Sequence, residues 1–169
     1  MNILIKEVDI KKRIKELGRE INRDYCNKNP ILIGVLKGAF VFMADLLREL
    51  EIPVEIDFLG ISSYEGKVSS GIVRITQDLS VNIENRDVIL IEDIIDTGRT
   101  IDYILKNLKT RNPRSIAICT LLNKQENRII EVPLTYVGFN IPSVFVVGYG
   151  LDYDNKYRNL KEIGVLDVK

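Results

Sequence analysis

Two kinds of apolar spacing alternate along this chain. Residues 10–22 place Ile10, Ile14, Leu17 and Ile21 three and four positions apart with charges between them, the spacing of an amphipathic helix, and Asp9 reads as its N-cap. Asn27 to Pro30 reads as a turn. Ile31 to Leu36 is then an apolar run, as a strand covered on both faces would be. After Lys37-Gly38 the helical spacing returns over roughly 39–50, through Phe40, Met43, Leu46, Leu47 and Leu50. Residues 53–61 alternate Val54, Ile56 and Phe58 with polar Glu55 and Asp57, predicting a half-exposed strand, and 72–76 predicts another. Val88 to Ile91 is a second aliphatic run, followed by the helical set Ile101, Ile104, Leu105 and Leu108. Asn112-Pro113 breaks the chain before a further buried strand, Ser115 to Leu122. Short apolar segments at 134–139, 144–148 and 163–166 complete the pattern.

Strand, short loop, helix, strand is the rhythm of βαβ units, which predicts a mostly parallel sheet with right-handed crossovers. Charged residues follow the C-terminal ends of four of the predicted strands: Lys37, then Glu92 with Asp93 and Asp96, then Lys124, then Asp152. Parallel neighbours would crowd these groups onto one edge of the sheet, where open α/β sheets bind ligands. The polar stretch Ser62 to Gly71 suits either a plain hairpin connection or a lid over such an edge. No repeat, linker or low-complexity segment interrupts the chain.

Composition narrows the chemistry. The 169 residues suffice for one α/β domain with a substantial core. Lys+Arg and Asp+Glu balance at 24 each, which argues against a broad polyanion-binding surface. There is no histidine, so acid–base work falls to Asp, Glu, Lys and Tyr. Cys26 and Cys119 stand alone without a CxxC pairing, as thiols in a reducing compartment do. No run reaches membrane-spanning length, and the expected location is the cytoplasm.

The richest stretch is Val88-Ile89-Leu90-Ile91-Glu92-Asp93-Ile94-Ile95-Asp96-Thr97-Gly98-Arg99-Thr100. A strand that ends in two acids and turns through glycine into a helix sets two ligand sites side by side. Free N–H groups at a helix start hold phosphate, and carboxylates accept from a sugar diol or hold a hydrated divalent cation. The competing reading makes the acids a solvated turn with Asp96 or Thr97 as helix N-cap. There is no GxxxxGK[ST] and no GxGxxG, so nucleoside triphosphatase and dinucleotide-binding readings lose support.

Glu92 to Thr100 resembles the phosphoribosyl pyrophosphate motif of the purine phosphoribosyltransferases, most closely the bacterial hypoxanthine-guanine branch, and the similarity runs from about Ile31 to Leu166. The resemblance implies a type I phosphoribosyltransferase fold over residues 1–169, an α/β domain with a central mostly parallel sheet flanked by helices and a small hood built from the terminal segments. It implies a Mg²⁺-dependent transfer of the phosphoribosyl group from phosphoribosyl pyrophosphate to hypoxanthine or guanine, in a homodimer or homotetramer that binds neither nucleic acid nor membrane. Lys37, Gly38, Ser63, Tyr64 and Arg158 would contact pyrophosphate, with Ser63-Tyr64 in the lid and the Leu36–Lys37 peptide often cis. Glu92 and Asp93 would contact the ribose hydroxyls and metal, and Asp152 a second metal. Asp96, Thr97, Gly98, Arg99 and Thr100 would cradle the 5′-phosphate, with Asp96 turned to purine N7 as the general acid or base. Lys124 would donate to the 6-oxo group, Phe145 would stack on the base, and Val146 and Asp152 would meet its edge. A donor-sensing or RNA-binding regulator on the same fold, and a xanthine–guanine-preferring relative, are the alternatives.

Overall fold

The structure, a computed structural model, describes residues 1–63 and 73–167. In chain order the elements are β1 (Asn2–Ile5), α1 (Glu7–Asp24), β2 (Ile31–Leu36), α2 (Phe40–Arg48), β3 (Glu55–Ser63), β4 (Val73–Gln77), β5 (Asp87–Ile95), α3 (Arg99–Lys109), β6 (Ser115–Asn123), β7 (Tyr136–Asn140), β8 (Val146–Val147) and β9 (Ile163–Val165). Six strands form the main sheet in the order β4-β3-β2-β5-β6-β7. Every pairing in it is parallel except β3 with β4. A second, antiparallel sheet joins β1, β9 and β8, so the two ends of the chain meet there as the expected hood.

The sheet has a core on each face, because side chains of successive strand residues point to opposite sides. Leu32, Ile89 and Ile91 pack with Ile10, Ile14, Leu17 and Ile21 of α1 and with Phe42, Met43 and Leu46 of α2. Ile31, Ile33, Val88 and Leu90 pack with Ile101, Ile104, Leu105 and Leu108 of α3. This is why β2 and β5 read as unbroken apolar runs: neither face of either strand meets water. Each such side chain contributes roughly 1.5–3 kcal/mol on burial, far more than the propensity of any single residue.

Three expectations need correction. Asp9 is not the N-cap of α1: the helix starts two residues earlier, behind Lys6, and Asp9 lies in its first turn with its N–H donating to the Lys6 carbonyl at 3.0 Å. An acid there still complements the helix dipole. The alternation in β3 also breaks down. Ile56 is 45% exposed, whereas Asp57 is 8% exposed and shares its face with buried Leu59. Asp57 is held there by donors from the chain after β4: the Ser80 and Val81 N–H groups at 2.7 and 3.0 Å and the Ser80 hydroxyl at 3.2 Å, together with the N–H of Phe58 at 2.8 Å. Four donors outweigh the penalty of burying one carboxylate. Finally, the strand expected at 144–148 is shorter, Val146–Val147, and belongs to the small sheet, not to the parallel row.

Burial alone would push the Asp57 carboxyl up, but the N–H groups of Val81, Phe58 and Ser80 outweigh it and hold the group below the usual carboxylate range. Its stabilisation is therefore complete above the unfolded-state value of about 4 and is lost as pH falls through the lower native value. Asp57→Ala, which strands buried N–H donors, should cost about 2–3 kcal/mol at pH 7. In urea titrations the gap between the variant and the parent should narrow as the pH is lowered below 4; a gap that is constant with pH would show that Asp57 is not the anion this account requires.

Candidate active site

The three central parallel strands, β2, β5 and β6, end at one edge of the sheet, and each delivers a charged residue to it. From β5 come Glu92 and Asp93, both buried. The Asp93 N–H donates to Glu92 Oε1 at 3.1 Å, and the Ile94 N–H donates to Asp93 Oδ1 at 2.8 Å. From β2 comes the turn Lys37-Gly38, which lies directly on the Asp93 carboxylate: a Cβ at Gly38 would sit 1.7 Å from Asp93 Oδ2. No side chain fits there. The Leu36–Lys37 peptide is cis, and the Lys37 side chain is exposed.

Burial, and then the neighbouring Asp93 charge, push the Glu92 carboxyl well above the ordinary range. Burial pushes Asp93 up as well, against the Ile94 N–H and the Arg158 charge. Two adjacent buried carboxylates with so little positive charge beside them fit a divalent cation, which would offset both. Among the described residues no three Asp, Glu or Cys side chains gather as a ready-made cage. An ion held here would keep waters or substrate oxygens in its shell, as Mg²⁺ prefers. Asp152 is engaged elsewhere, forming an ion pair with Arg158 Nη2 at 2.8 Å and accepting from the Asn155 N–H at 2.8 Å.

Beyond the carboxylates, β5 turns through Asp96 and Thr97 to Gly98 and α3. Gly98 is the N-cap residue, at φ 86°, and no side chain caps the helix. Thr97 Oγ1 touches the Arg99 N–H only at 3.4 Å. The capping reading of Asp96 and Thr97 therefore fails, and the helix start remains open beside a cavity of about 240 Å³ lined by Gly38, Glu92, Asp93, Asp96, Thr97, Gly98 and Thr100. The turn is fixed from outside: the N–H groups of Ile129 and Ile130 donate to the Thr97 carbonyl at 2.9 and 3.0 Å. A Cβ at Gly98 would lie 2.2 Å from the Ile130 carbonyl oxygen, so both the positive φ and the close approach require glycine.

Lys124 arrives from the end of β6. Its N–H donates to the Ile95 carbonyl at 2.9 Å, which continues the parallel ladder one step past the strand. The side chain is buried, with Nζ 3.4 Å from Asp96 Oδ2. The other Asp96 oxygen, Oδ1, is buried without a hydrogen-bond partner, a position that asks for a donor from elsewhere. Phe145 is not a core residue: it is 44% exposed, with its ring edge-on to Tyr153 at 5.6 Å and 85°. Val146 is buried in β8.

Most of the expected residues thus converge on one edge. Asp152 comes from the loop after β8 instead of from a parallel strand, and its carboxylate pairs with Arg158. Arg158 crosses that loop, donating from Nη1 to the Gly150 carbonyl at 2.7 Å and pairing through Nη2 with the Asp152 carboxylate. Arg99 is exposed at the start of α3. Tyr64 and the Ser63 side chain lie outside the described residues. The clamp on Thr97 escaped the sequence reading because main-chain donors leave no trace in side-chain identity. The same is not true of Asn123, a polar residue at the end of an apolar strand, which accepts from Arg128 and donates to Asn140 Oδ1 at 2.7 Å.

Residues 5–154 match the model of the phosphoribosyl transferase domain. The chain is 50% identical over 165 residues to the hypoxanthine-guanine phosphoribosyltransferase of Streptococcus thermophilus, covering 97% of this chain and 92% of that one. It is equally similar, at 50% over 165 residues, to the bifunctional protein TilS/HprT of Listeria monocytogenes, of which it spans only 26%. A crystal structure of a hypoxanthine phosphoribosyltransferase from Staphylococcus aureus superposes with a TM-score of 0.94 at 45% identity, over 98% of this chain and 91% of that chain. A hypoxanthine-guanine phosphoribosyltransferase from Bacillus anthracis does so with a TM-score of 0.94 at 41% identity, over 98% of both. With a parallel sheet that ends in this motif and a family match over most of its length, the chain belongs to the phosphoribosyltransferases.

Proposed function

We propose that the protein is a purine salvage enzyme that transfers the 5-phosphoribosyl group from phosphoribosyl pyrophosphate to N9 of hypoxanthine or guanine, giving IMP or GMP and pyrophosphate. The observation that carries this reading is the meeting of Asp96 and Lys124, 3.4 Å apart, beside a buried carboxylate pair and an open helix start. A nucleotide needs those features together: a donor for an oxo group, an acid or base for a ring nitrogen, and anchors for a sugar and a phosphate. In this reading the enzyme works in the cytoplasm as a homodimer or homotetramer. No helix among the described residues is long and apolar enough to cross a membrane.

In this reading the 5′-phosphate binds the N–H groups at the start of α3 with the Thr97 and Thr100 hydroxyls. Glu92 and Asp93 orient the ribose hydroxyls. Mg²⁺ bound through Glu92 and Asp93, with Asp152 near a second ion, would supply positive charge to the pyrophosphate oxygens. Lys37, the Gly38 backbone and Arg158 stabilise the departing pyrophosphate as C1′ gains oxocarbenium character. Asp96 holds the proton at N7, which the orphaned Oδ1 supports. Lys124 Nζ donates to the 6-oxo group, a contact the adenine amine rejects. Phe145 is open to stack on the base, with Val146 and Asp152 at its edge.

The direct test is pyrophosphate release with each of the four purines, with and without Mg²⁺: turnover should need the metal and a 6-oxopurine, and release with adenine alone would remove the assignment. In the same assay Lys124→Ala should shrink the preference for hypoxanthine over adenine by about tenfold or more, whereas an unchanged preference would take Lys124 out of the base pocket. Asp96→Asn should lower kcat about a hundredfold while raising the KM for the donor far less; equal loss in both would indicate structural damage instead. Glu92 has a folded-state pKa raised above its unfolded value, so it contributes stability at low pH that is lost as pH rises through the folded value. Glu92→Gln should therefore raise the Tm of the metal-free protein at neutral pH and weaken the further stabilisation given by Mg²⁺ with donor. A lowered Tm would show that the carboxylate pair is not the destabilising element described here.

A further inference from the structure

One buried hydroxyl near the site has no part in the chemistry above. Tyr149 is 5% exposed, and its hydroxyl donates to Asp45 Oδ2 of α2 at 2.5 Å. Burial, and then that carboxylate, push the phenol far above its ordinary value, so it remains a donor. Its backbone is equally constrained. Gly148, Tyr149 and Gly150 form a left-handed run with φ of 99°, 52° and 98°, a conformation that a tyrosine adopts only when its surroundings hold it. The Tyr149 N–H donates to the Leu160 carbonyl at 2.8 Å and the Gly150 N–H to the Arg158 carbonyl at 3.0 Å.

This turn touches both sides of the pyrophosphate cradle. A Cβ at Gly150 would lie 2.3 Å from the Gly38 carbonyl oxygen, so the turn rests flat on the Lys37-Gly38 loop that leads into α2. On its other side the Gly150 carbonyl receives Arg158 Nη1 at 2.7 Å, which aims the guanidinium at Asp152. The spacing between loop and guanidinium therefore depends on how the turn sits against α2, and the Tyr149–Asp45 bond ties the two together.

We propose that Tyr149 and Asp45 are positioning residues that set the spacing between the Lys37-Gly38 loop and Arg158, and through it the affinity for the pyrophosphate group of the donor. The inference rests on the assignment of that cradle above. A bond that merely stabilised the fold would act on every substrate alike; this one acts on one end of the site.

The test compares Tyr149→Phe, Asp45→Ala, Asp45→Asn and the double variant Tyr149→Phe/Asp45→Ala. It measures KM for phosphoribosyl pyrophosphate and for hypoxanthine, the Kd of inorganic pyrophosphate with Mg²⁺ by calorimetry, and Tm. Tyr149→Phe and Asp45→Ala should each raise the donor KM and the pyrophosphate Kd about tenfold, as loss of one hydrogen bond to a charged acceptor does, with the hypoxanthine KM within about twofold. Asp45→Asn keeps an oxygen acceptor and should restore most of the affinity. The double variant should lose about tenfold, not about a hundredfold, because the two residues act through one bond. Unchanged pyrophosphate affinity in a folded variant, equal weakening of both substrates, or additive losses would overturn the proposal. Should Tyr149→Phe fail to fold, the contrast between Asp45→Asn and Asp45→Ala decides it in the same way. A parent protein that turns over purine but binds no pyrophosphate at this cradle overturns the inference alone, and one that does neither overturns the assigned function with it.

Discussion

The structure depends on β5 having a parallel partner on each side. In this register Gly34 of β2 stands opposite Ile91, and Glu92, Ile94 and Ile95 stand opposite Thr120, Leu122 and Asn123 of β6. Parallel strands run their C-terminal ends to the same edge, so the residues that follow them are neighbours in space whatever their distance in sequence. The Lys124 N–H to Ile95 carbonyl bond extends that ladder past the strands, and it is the reason two residues 28 positions apart come within 3.4 Å. A slip of one residue between β5 and β6 would reverse which face each side chain takes.

How much of this could be read from the sequence follows from which forces left a pattern. The helices and the buried strands were legible because burial imposes a period, and burial dominates their energetics. The convergence of Lys37, Glu92, Asp93, Asp96 and Lys124 was legible at second hand, since it needed only the βαβ rhythm. Features settled by polar detail were not. Asp57 looked like the solvent face of β3 because nothing in its neighbourhood announces the donors at Ser80 and Val81, more than twenty residues away. Asp9 looked like a cap because Glu7 and Val8 fall outside the three-and-four spacing that begins at Ile10, although Glu7 pairs with Lys11 at 2.6 Å and starts the helix early. Phe145 is apolar and stands beside a strand, so pattern alone would bury it, yet it is exposed, with its ring edge-on to Tyr153.

The small sheet shows a different kind of dependence. Its three strands are short, and they come from the chain start, the segment at 146–147 and the chain end. Local sequence specifies them weakly, and mutual pairing holds them. Yet Asp152 and Arg158 come from this region, through a turn whose left-handed residues are bonded to Leu160 and Arg158 and pressed on Gly38. The site is thus a seam between a strongly specified parallel sheet and a weakly specified hood. Groups that need exact placement against the sheet are secured by main-chain and buried side-chain bonds across that seam.

The seam and the edge share a further property: several of their groups are left incomplete by the protein itself. The start of α3 lacks a capping side chain, an omission worth about 1 kcal/mol in an ordinary helix. Asp96 Oδ1 is buried without a partner, and Glu92 and Asp93 are adjacent acids that burial makes reluctant to ionise. A fold selected for stability alone would have placed Ser or Asp at the cap position and separated the acids. In the proposed function each deficit would be met on binding: a phosphate for the open N–H groups, a ring N–H for the orphaned oxygen, and a divalent cation for the carboxylates. On that proposal, binding would remove each penalty as well as add a contact, and the protein's own instability would become part of its affinity. The deficits lie within a few residues of one another at the end of the best-buried strand, where a rigid scaffold can carry them.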